Sequence, residues 1–362
     1  MKRITLFILL ILSVLLLAQC AQLPLATPSV VEKVVPQTVV VPQTVVVQSQ
    51  AQTTPSAACS KQVYVVTAPL VHPYIAQWQA AAEAAGTELG VEVIYLSPAQ
   101  YDNQKQVDMT ESALSLPCLS GLSAIAAVPD ILEGAMKQAA DMGIGTTQNA
   151  SCDKAVNASI CMSTDFAKAG AVVAERLAKE LNGKGNVVVG FGAPDDANHA
   201  LRLKGLEDYF KANAPGIQVI GVMKNCDDPA GTVKCAEDAL TAYPTMNAYY
   251  STGNLPGVGA AQVFPKAGRS DIIITAVDDA PEVIEAIKTN PKMFTYVQQP
   301  YGQGYLAVYI PWLMKNKGLK PTQKYLDTGI TIVDQSNLSN YKDVMMQKFT
   351  ELKKLVDTEI MK

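Results

Sequence analysis

The sequence predicts an α/β chain of two doubly wound lobes, and three observations carry that prediction. From residue 60 onward, buried-type strands alternate with amphipathic helices, the order that builds parallel sheets with helices on both faces. Continuous apolar runs such as NVVVGF at 186–191 and DIIITAV at 271–277 suit parallel strands covered on both sides. Eight strand candidates exceed what one small sheet needs, and 362 residues are too many for one typical domain. Composition agrees, since 49% hydrophobic and 17% charged residues can build sizeable cores. Net charge is −4 with no basic cluster beyond isolated lysine pairs, which argues against nucleic acid as a partner.

Taken in order, the chain opens on a targeting segment. Lys2 and Arg3 precede the apolar run ITLFILLILSVLLLA, Ile4 to Ala18, which is short for a membrane span and fits the core of a secretory signal. LAQC follows and ends at Cys20, resembling a lipobox, in which the cysteine becomes the lipidated first residue of a bacterial lipoprotein. Gln19 departs from the small residue usual before that cysteine, and an uncleaved signal anchor is the other reading. Residues 1–20 are thus the signal and 21–58 a tether, with the near-repeat VPQTVV at 35–40 and 41–46 and only Glu32 and Lys33 charged. Recurrent proline disfavours helix and central strand. An extended spacer of that length reaches on the order of 100 Å.

With Cys20 assigned to lipid, six cysteines remain: Cys59, Cys118, Cys152, Cys161, Cys226 and Cys235. An even count in an exported chain points to three disulfides. The equal spacing of Cys152/Cys161 and Cys226/Cys235 suggests two local staples, leaving Cys59/Cys118 as the long-range pair among about 15 possible connectivities. No CxxC occurs and the chain has only two histidines, so no metal site is expected.

Strands are expected at 62–67, 91–96, 122–128, 186–191, 217–222, 246–251, 271–277 and 293–297. Helices are expected at 74–89, 130–142, 165–182, 197–212, 230–242, 255–266, 281–288 and 302–316. Between them, motifs for catalysis or cofactors are missing. GFGAPD at 190–195 begins like a dinucleotide fingerprint, but Asp195 stands where the third glycine belongs. There is no Walker A, GxSxG or HExxH, and His72 and His199 lie beside no evident nucleophile. The expectation is a non-enzyme without cofactor.

The strand tips carry a different pattern: His72, Tyr74, Gln148, Asn149, Asp165, Asn198, Asn254, Asp278 and Gln298. A carboxylate accepts from two vicinal hydroxyls, an amide donates and accepts at once, and an aromatic packs on the C–H face of a sugar ring. Singly, such residues also serve as caps and turns. Asp165 suits the N-cap of the following helix, and Asp278 the turn before Pro281. Their collection at the ends of successive strands is what points to a hydroxylated ligand.

At this point residues 60–337 resemble the type I periplasmic sugar-binding proteins, the ribose-binding group in particular. The resemblance rests on HPYI after the first strand, LTAYP at 240–244, AVDDAPE at 276–282 and YVQQPYGQGY at 296–305. It implies two Rossmann-like lobes joined by a three-strand hinge, with crossings near 164, 298 and 328. One lobe would hold 59–163 and 299–327, the other 164–298 and 328–362, with the last helix able to cross back. The family's ligand-binding aspartate and glutamine fall on Asp278 and Gln298. Its Asp-Arg pair falls on Gln148 and Asn149, its Arg on the helix after GFG near Ala200 beside Asn198 and His199, and its Asn-Asp on Gly253 and Asn254. Arg202 matches a family arginine of more structural role, and a second family aromatic becomes Ile75. Tyr74 would pack on the ligand and His72 would bond its edge, or cap the following helix.

The resemblance implies a protein that captures a small hydroxylated ligand, a monosaccharide first, and docks on the membrane permease of an ABC transporter; with the lipobox at Cys20 the expectation is a lipid-anchored monomer of the cell envelope. A sensory protein feeding a chemoreceptor or kinase, a secreted enzyme on the same scaffold, and a nucleoside, furanose or small-amide ligand are the alternatives.

Overall fold

The computed structural model describes residues 59–362 apart from 71–72, 129, 151, 153–154 and 195. The signal segment, Cys20, the tether and His72 lie outside the described residues.

A first sheet is built from β1 (Val63–Thr67), β2 (Glu92–Leu96), β3 (Leu119–Ala126), β4 (Gly145–Ala150), β5 (Ile160–Ser163) and the returning β11 (Tyr325–Asp327). Its order is β11-β5-β4-β3-β1-β2. The second contains β6 (Lys184–Gly190), β7 (Gly216–Met223), β8 (Ala248–Ser251), β9 (Ile273–Val277), β10 (Met293–Val297) and β12 (Thr331–Val333), in the order β12-β10-β9-β8-β6-β7. All pairings are parallel except β10 with β12. Both sheets repeat one winding, and in each the order reverses beside the first strand, between β1 and β3 and between β6 and β8. Open α/β sheets take ligands at the carboxyl ends of strands beside such a reversal.

Helices cover both faces. On the first sheet, α1 (Pro73–Leu89) and α9 (Pro300–Lys317) pack on one side, α2 (Asn103–Ala113) and α3 (Glu133–Asp141) on the other. On the second, α4 (Phe166–Glu180) and α5 (Ala197–Asn213) face α6 (Pro229–Ala242), α7 (Asn254–Val263) and α8 (Pro281–Thr289) across the strands. The sequence accounts for these elements locally. β1 reads VYVVT and is buried throughout, as a strand covered on both faces should be. Asp165 caps α4 by accepting from the Lys168 amide at 2.9 Å. Each lobe also has one helix pair that only glycine allows to close. A Cβ at Gly304 of α9 would lie 2.1 Å from the Trp78 carbonyl oxygen of α1, and one at Gly205 of α5 would lie 1.8 Å from the Ala167 carbonyl oxygen of α4.

Three stretches pass between the sheets, from β5 to α4, from β10 to α9 and from β11 to β12. The chain then ends in α10 (Tyr341–Leu355) and a π-helical turn, Val356–Ile360. Residues 328–362, read from sequence as part of the second lobe with the last helix able to cross back, pack against both sheets. Tyr341 and Met345 pack with Val297 and Val333 of the second sheet. Phe349, Leu352, Val356 and Ile360 join the core under α1 and α9 of the first. The cause is one apolar stripe running the length of α10, long enough to serve both lobes.

The elements missed in sequence include β5, whose four residues ICMS are too short a run to stand out, and several polar or shorter ones. β4 reads GTTQNA, without apolar run or alternation, yet lies buried between β3 and β5. α2 reads NQKQVDMTESA, polar nearly all round. β11 and β12 have three residues each, too few to show a period. Disulfides join Cys59 to Cys118, Cys152 to Cys161 and Cys226 to Cys235, the pairing read from their spacing.

Candidate ligand-binding site

β9 ends at Val277, and the chain turns at Asp278, whose φ of 63° is left-handed. Aspartate tolerates that conformation better than most residues. The turn is pinned by the Asp278 amide donating to the Tyr296 carbonyl at 2.8 Å and by the Thr295 hydroxyl donating to the Asp278 carbonyl at 3.0 Å. Gln298, just past the end of β10, donates from Nε2 to Asp278 Oδ1 at 3.0 Å. Two predicted residues are thereby brought together, an amide steadying a carboxylate.

Tyr74 approaches from the first lobe, in the first turn of α1. Its hydroxyl donates to Gln303 Oε1 of α9. Burial raises its pKa far above the ordinary tyrosine value, the Asp278 charge adds to the rise and Arg202 opposes it. Tyr74 is therefore within electrostatic reach of Asp278 and Arg202, both from the other lobe. Arg202 is itself buried, donates to the Thr252 carbonyl at 2.9 Å and stacks over Phe166 at 4.7 Å. Burial works against its charge, but Tyr296, Asp278 and Asp196 hold its pKa up.

Gln148 and Asn149 lie side by side near the end of β4, each about 1% exposed. In the register of β3 to β5, Asn149 shares its face with Ile125 and Met162, the face covered by α1 and α9. Neither end of the Asn149 amide finds a hydrogen-bond partner among the described residues. Ala150, next in line, has a φ of 70°, an unfavourable left-handed conformation for alanine. A cleft of about 330 Å³ opens here, lined by Ala150, Ser163 and Tyr325 from the first sheet and by Asp165, Phe166 and Asn198 from the second lobe. Asn198 is buried in the first turn of α5, its amide donating to Asp196.

Asn254 is spent locally. It opens α7, where its Oδ1 accepts from the Leu255 amide at 2.8 Å. Beside it, a Cβ on Gly253 would lie 3.0 Å from Asp227 Oδ1 and 3.2 Å from His199 Cε1. His199 bonds the Thr252 hydroxyl through Nδ1 at 2.8 Å, with Asp196 and Asp227 at 3.7 and 3.9 Å from Nε2. Burial and then Arg202 lower its pKa, against the pull of the two aspartates.

Sequence reasoning passed over Gln303, Thr328, Phe166 and the pair Asp196 and Asp227. Gln303 had a signal, being the lone amide in the otherwise mostly apolar PYGQGYLAVYI that opens α9. A wider groove of about 550 Å³ lies between α6 and α7, lined by Val233, Leu240 and Val263. It is away from the strand ends and holds none of the predicted residues. Among the described residues, no group of three or more His, Cys, Asp or Glu is arranged to hold a metal ion.

Residues 63–318 match the model of the periplasmic binding protein domain. A D-apiose import binding protein from Paraburkholderia graminis is 24% identical over 298 residues, covering 79% of this chain and 88% of its own. The sugar-binding protein of a sugar ABC transporter from Bacillus halodurans superposes with a TM-score of 0.71 at 26% identity, covering 78% of this chain and 100% of its own. An ABC transporter solute-binding protein from Burkholderia graminis, solved with D-arabinose, superposes at 0.70 with 26% identity, over 77% of this chain and 97% of its own.

Proposed function

The chain belongs to the periplasmic binding protein domain family, and from that premise we propose that it captures a monosaccharide between its two lobes and delivers it to the permease of an ABC transporter. The observation that carries this reading is the cleft lined by Ala150, Ser163 and Tyr325 of one lobe and by Asp165, Phe166 and Asn198 of the other, with Tyr74 of the first lobe feeling the charges of Asp278 and Arg202 of the second. A ligand touching both lobes there favours the state in which they are closed.

In this reading Asp278, steadied by Gln298, accepts from sugar hydroxyls. Asn149 supplies a buried amide whose donor and acceptor both suit a vicinal diol. Tyr74 packs on the ring. Asn198 lines the cleft from the second lobe, Gln148 stands near Ala150 in β4, and Asn254 shapes the second-lobe wall through its cap. Residues 59–163 with 299–327, and 164–298 with the first turns of α10, move as two bodies about the three crossings. The family points to a protein outside the cytoplasm. Lipid on Cys20 and the tether would hold a monomer near its permease and raise its effective concentration. The role is binding rather than catalysis. Pentoses are the first ligands to try, because named relatives take D-apiose and D-arabinose.

A thermal-shift screen of the purified protein against pentoses, hexoses, polyols, nucleosides and amino acids tests this. A sugar at 100 times its Kd adds about 2.7 kcal/mol of stability. That shift should vanish in Asp278→Ala and fall in Gln298→Ala. A response confined to nucleosides or amino acids would overturn the ligand class and keep the fold.

A further inference from the structure

Gln303 is 2% exposed, and both ends of its amide are spent. Oε1 accepts the Tyr74 hydroxyl proton, and Nε2 donates to Thr328 Oγ1 at 2.7 Å. Thr328 lies in the crossing from β11 to β12, and its amide donates to the Ser163 carbonyl, in the crossing from β5 to α4, at 3.0 Å. The same two crossings are stitched by Asp327, whose Oδ1 accepts from the amides of Gly329 at 2.8 Å and Asp165 at 3.2 Å. A continuous path of hydrogen bonds therefore runs from Tyr74, in the cleft, through one buried amide to two of the three strands on which the lobes turn. A buried amide is costly to leave half-satisfied, so a shift of the Tyr74 hydroxyl is felt at Thr328.

We infer that Gln303 is a positioning residue that couples Tyr74 in the cleft to the paired crossings at 163–165 and 327–329. The inference rests on the cleft being the ligand site, but the coupling itself is measurable without ligand.

The test is hydrogen exchange at the Thr328 amide in the full-length protein. Tyr74→Phe should speed that exchange about fivefold although Tyr74 does not touch Thr328. Gln303→Met should do the same, and adding Tyr74→Phe to it should change nothing more. Should Gln303→Met fail to fold, Thr328→Val cuts the far end of the path. In that background Tyr74→Phe should no longer alter exchange at the neighbouring Gly329 amide. An unchanged Thr328 amide in Tyr74→Phe overturns the inference. D-arabinose then separates it from the ligand reading. Protection of Thr328 by D-arabinose in the wild type, lost in Gln303→Met, supports both. A wild type indifferent to every sugar, but showing the ligand-free Tyr74→Phe effect, upholds the coupling and counts against the sugar.

Discussion

Along the first sheet the buried polar side chains include Thr67, Gln106, Ser123, Thr147, Gln148 and Asn149, with Gln303 from α9, and among the described residues none of that lobe's buried polar groups is charged. The second sheet repeats the same strand order but buries Arg202 and His199 at its strand ends, with Asp196, Asp227 and Asp278 around them. The two walls of the cleft thus do different work. On the neutral wall Asn149 leaves both ends of its amide without a hydrogen-bond partner among the described residues. On the charged wall His199 bonds the Thr252 hydroxyl, and Arg202 bonds the Thr252 carbonyl and stacks over Phe166, so side chains that shape the fold also gather at the strand ends.

The sharpest way to break this comparison is Arg202→Met. It removes the Thr252 bond and the Phe166 stack and takes away a positive charge that interacts with Asp278 and Asp196. Removing one partner from a buried ionic group costs about 3 kcal/mol, and urea unfolding should show a loss of that size. Should the loss be under about 1 kcal/mol, the charged wall is not structural and the contrast fails.

Next in size is Asp327→Asn, at the crossings the two lobes share. Burial works against the Asp327 carboxylate, but Lys168 and the amides of Gly329 and Asp165 outweigh it and hold its pKa below the ordinary 3.8. A depressed folded pKa gives stability that is present above the unfolded value and lost as pH falls through the folded one. The asparagine variant should therefore be about 2 kcal/mol less stable at pH 7. Its stability should also decline less steeply than the wild type's below about pH 4, which a series of urea melts against pH would show.

The neutral wall predicts an effect of the opposite sign. In Asn149→Leu an unspent amide gives way to an apolar group of similar size, which is neutral or stabilising by up to about 1 kcal/mol in the ligand-free protein. Sugar affinity should drop at least tenfold in calorimetric titration. A variant destabilised as much as Arg202→Met would mean the first lobe depends on its amides as the second does on its charges.

The same contrast governs what the sequence disclosed. Asp278 and Gln298 were legible because each closes an apolar strand, in AVDDAPE and YVQQPYGQGY, where a lone polar residue stands out. Both windings were legible from strand and helix periods, but β4 was not, since Gln148 and Asn149 sit in a strand without an apolar residue until Ala150. Its burial comes from β3 and β5 on either side, a tertiary fact with no local trace. Gln303 and Thr328 are 25 residues apart, and nothing in either segment names the other. The split of α10 between the lobes was only partly legible, for a related reason. An apolar stripe says that a helix is covered, not which body covers it.

The smallest effect expected lies where the two walls meet directly. Gln77 of α1 donates from Nε2 to Asp279 Oδ1 at 3.0 Å, across the gap between the lobes. Asp279 Oδ2 also accepts from the Tyr341 hydroxyl at 3.1 Å, so the carboxylate keeps a partner if Gln77 is lost. Gln77→Met should therefore leave unfolding within about 0.5 kcal/mol of wild type, because neither lobe loses an internal contact. What it removes is one hydrogen bond that only the approach of the lobes can make, worth about 1 kcal/mol or less. If ligand binding and closure are linked, a closed state weakened by that amount should raise the sugar Kd no more than about fivefold. The radius of gyration of the ligand-free protein in X-ray scattering should rise with it and return to the wild-type value at saturating sugar. A loss of affinity as large as that of Asp278→Ala would instead make Gln77 a direct ligand contact, and the neutral wall would extend one helical turn further into the cleft than Tyr74 alone defines.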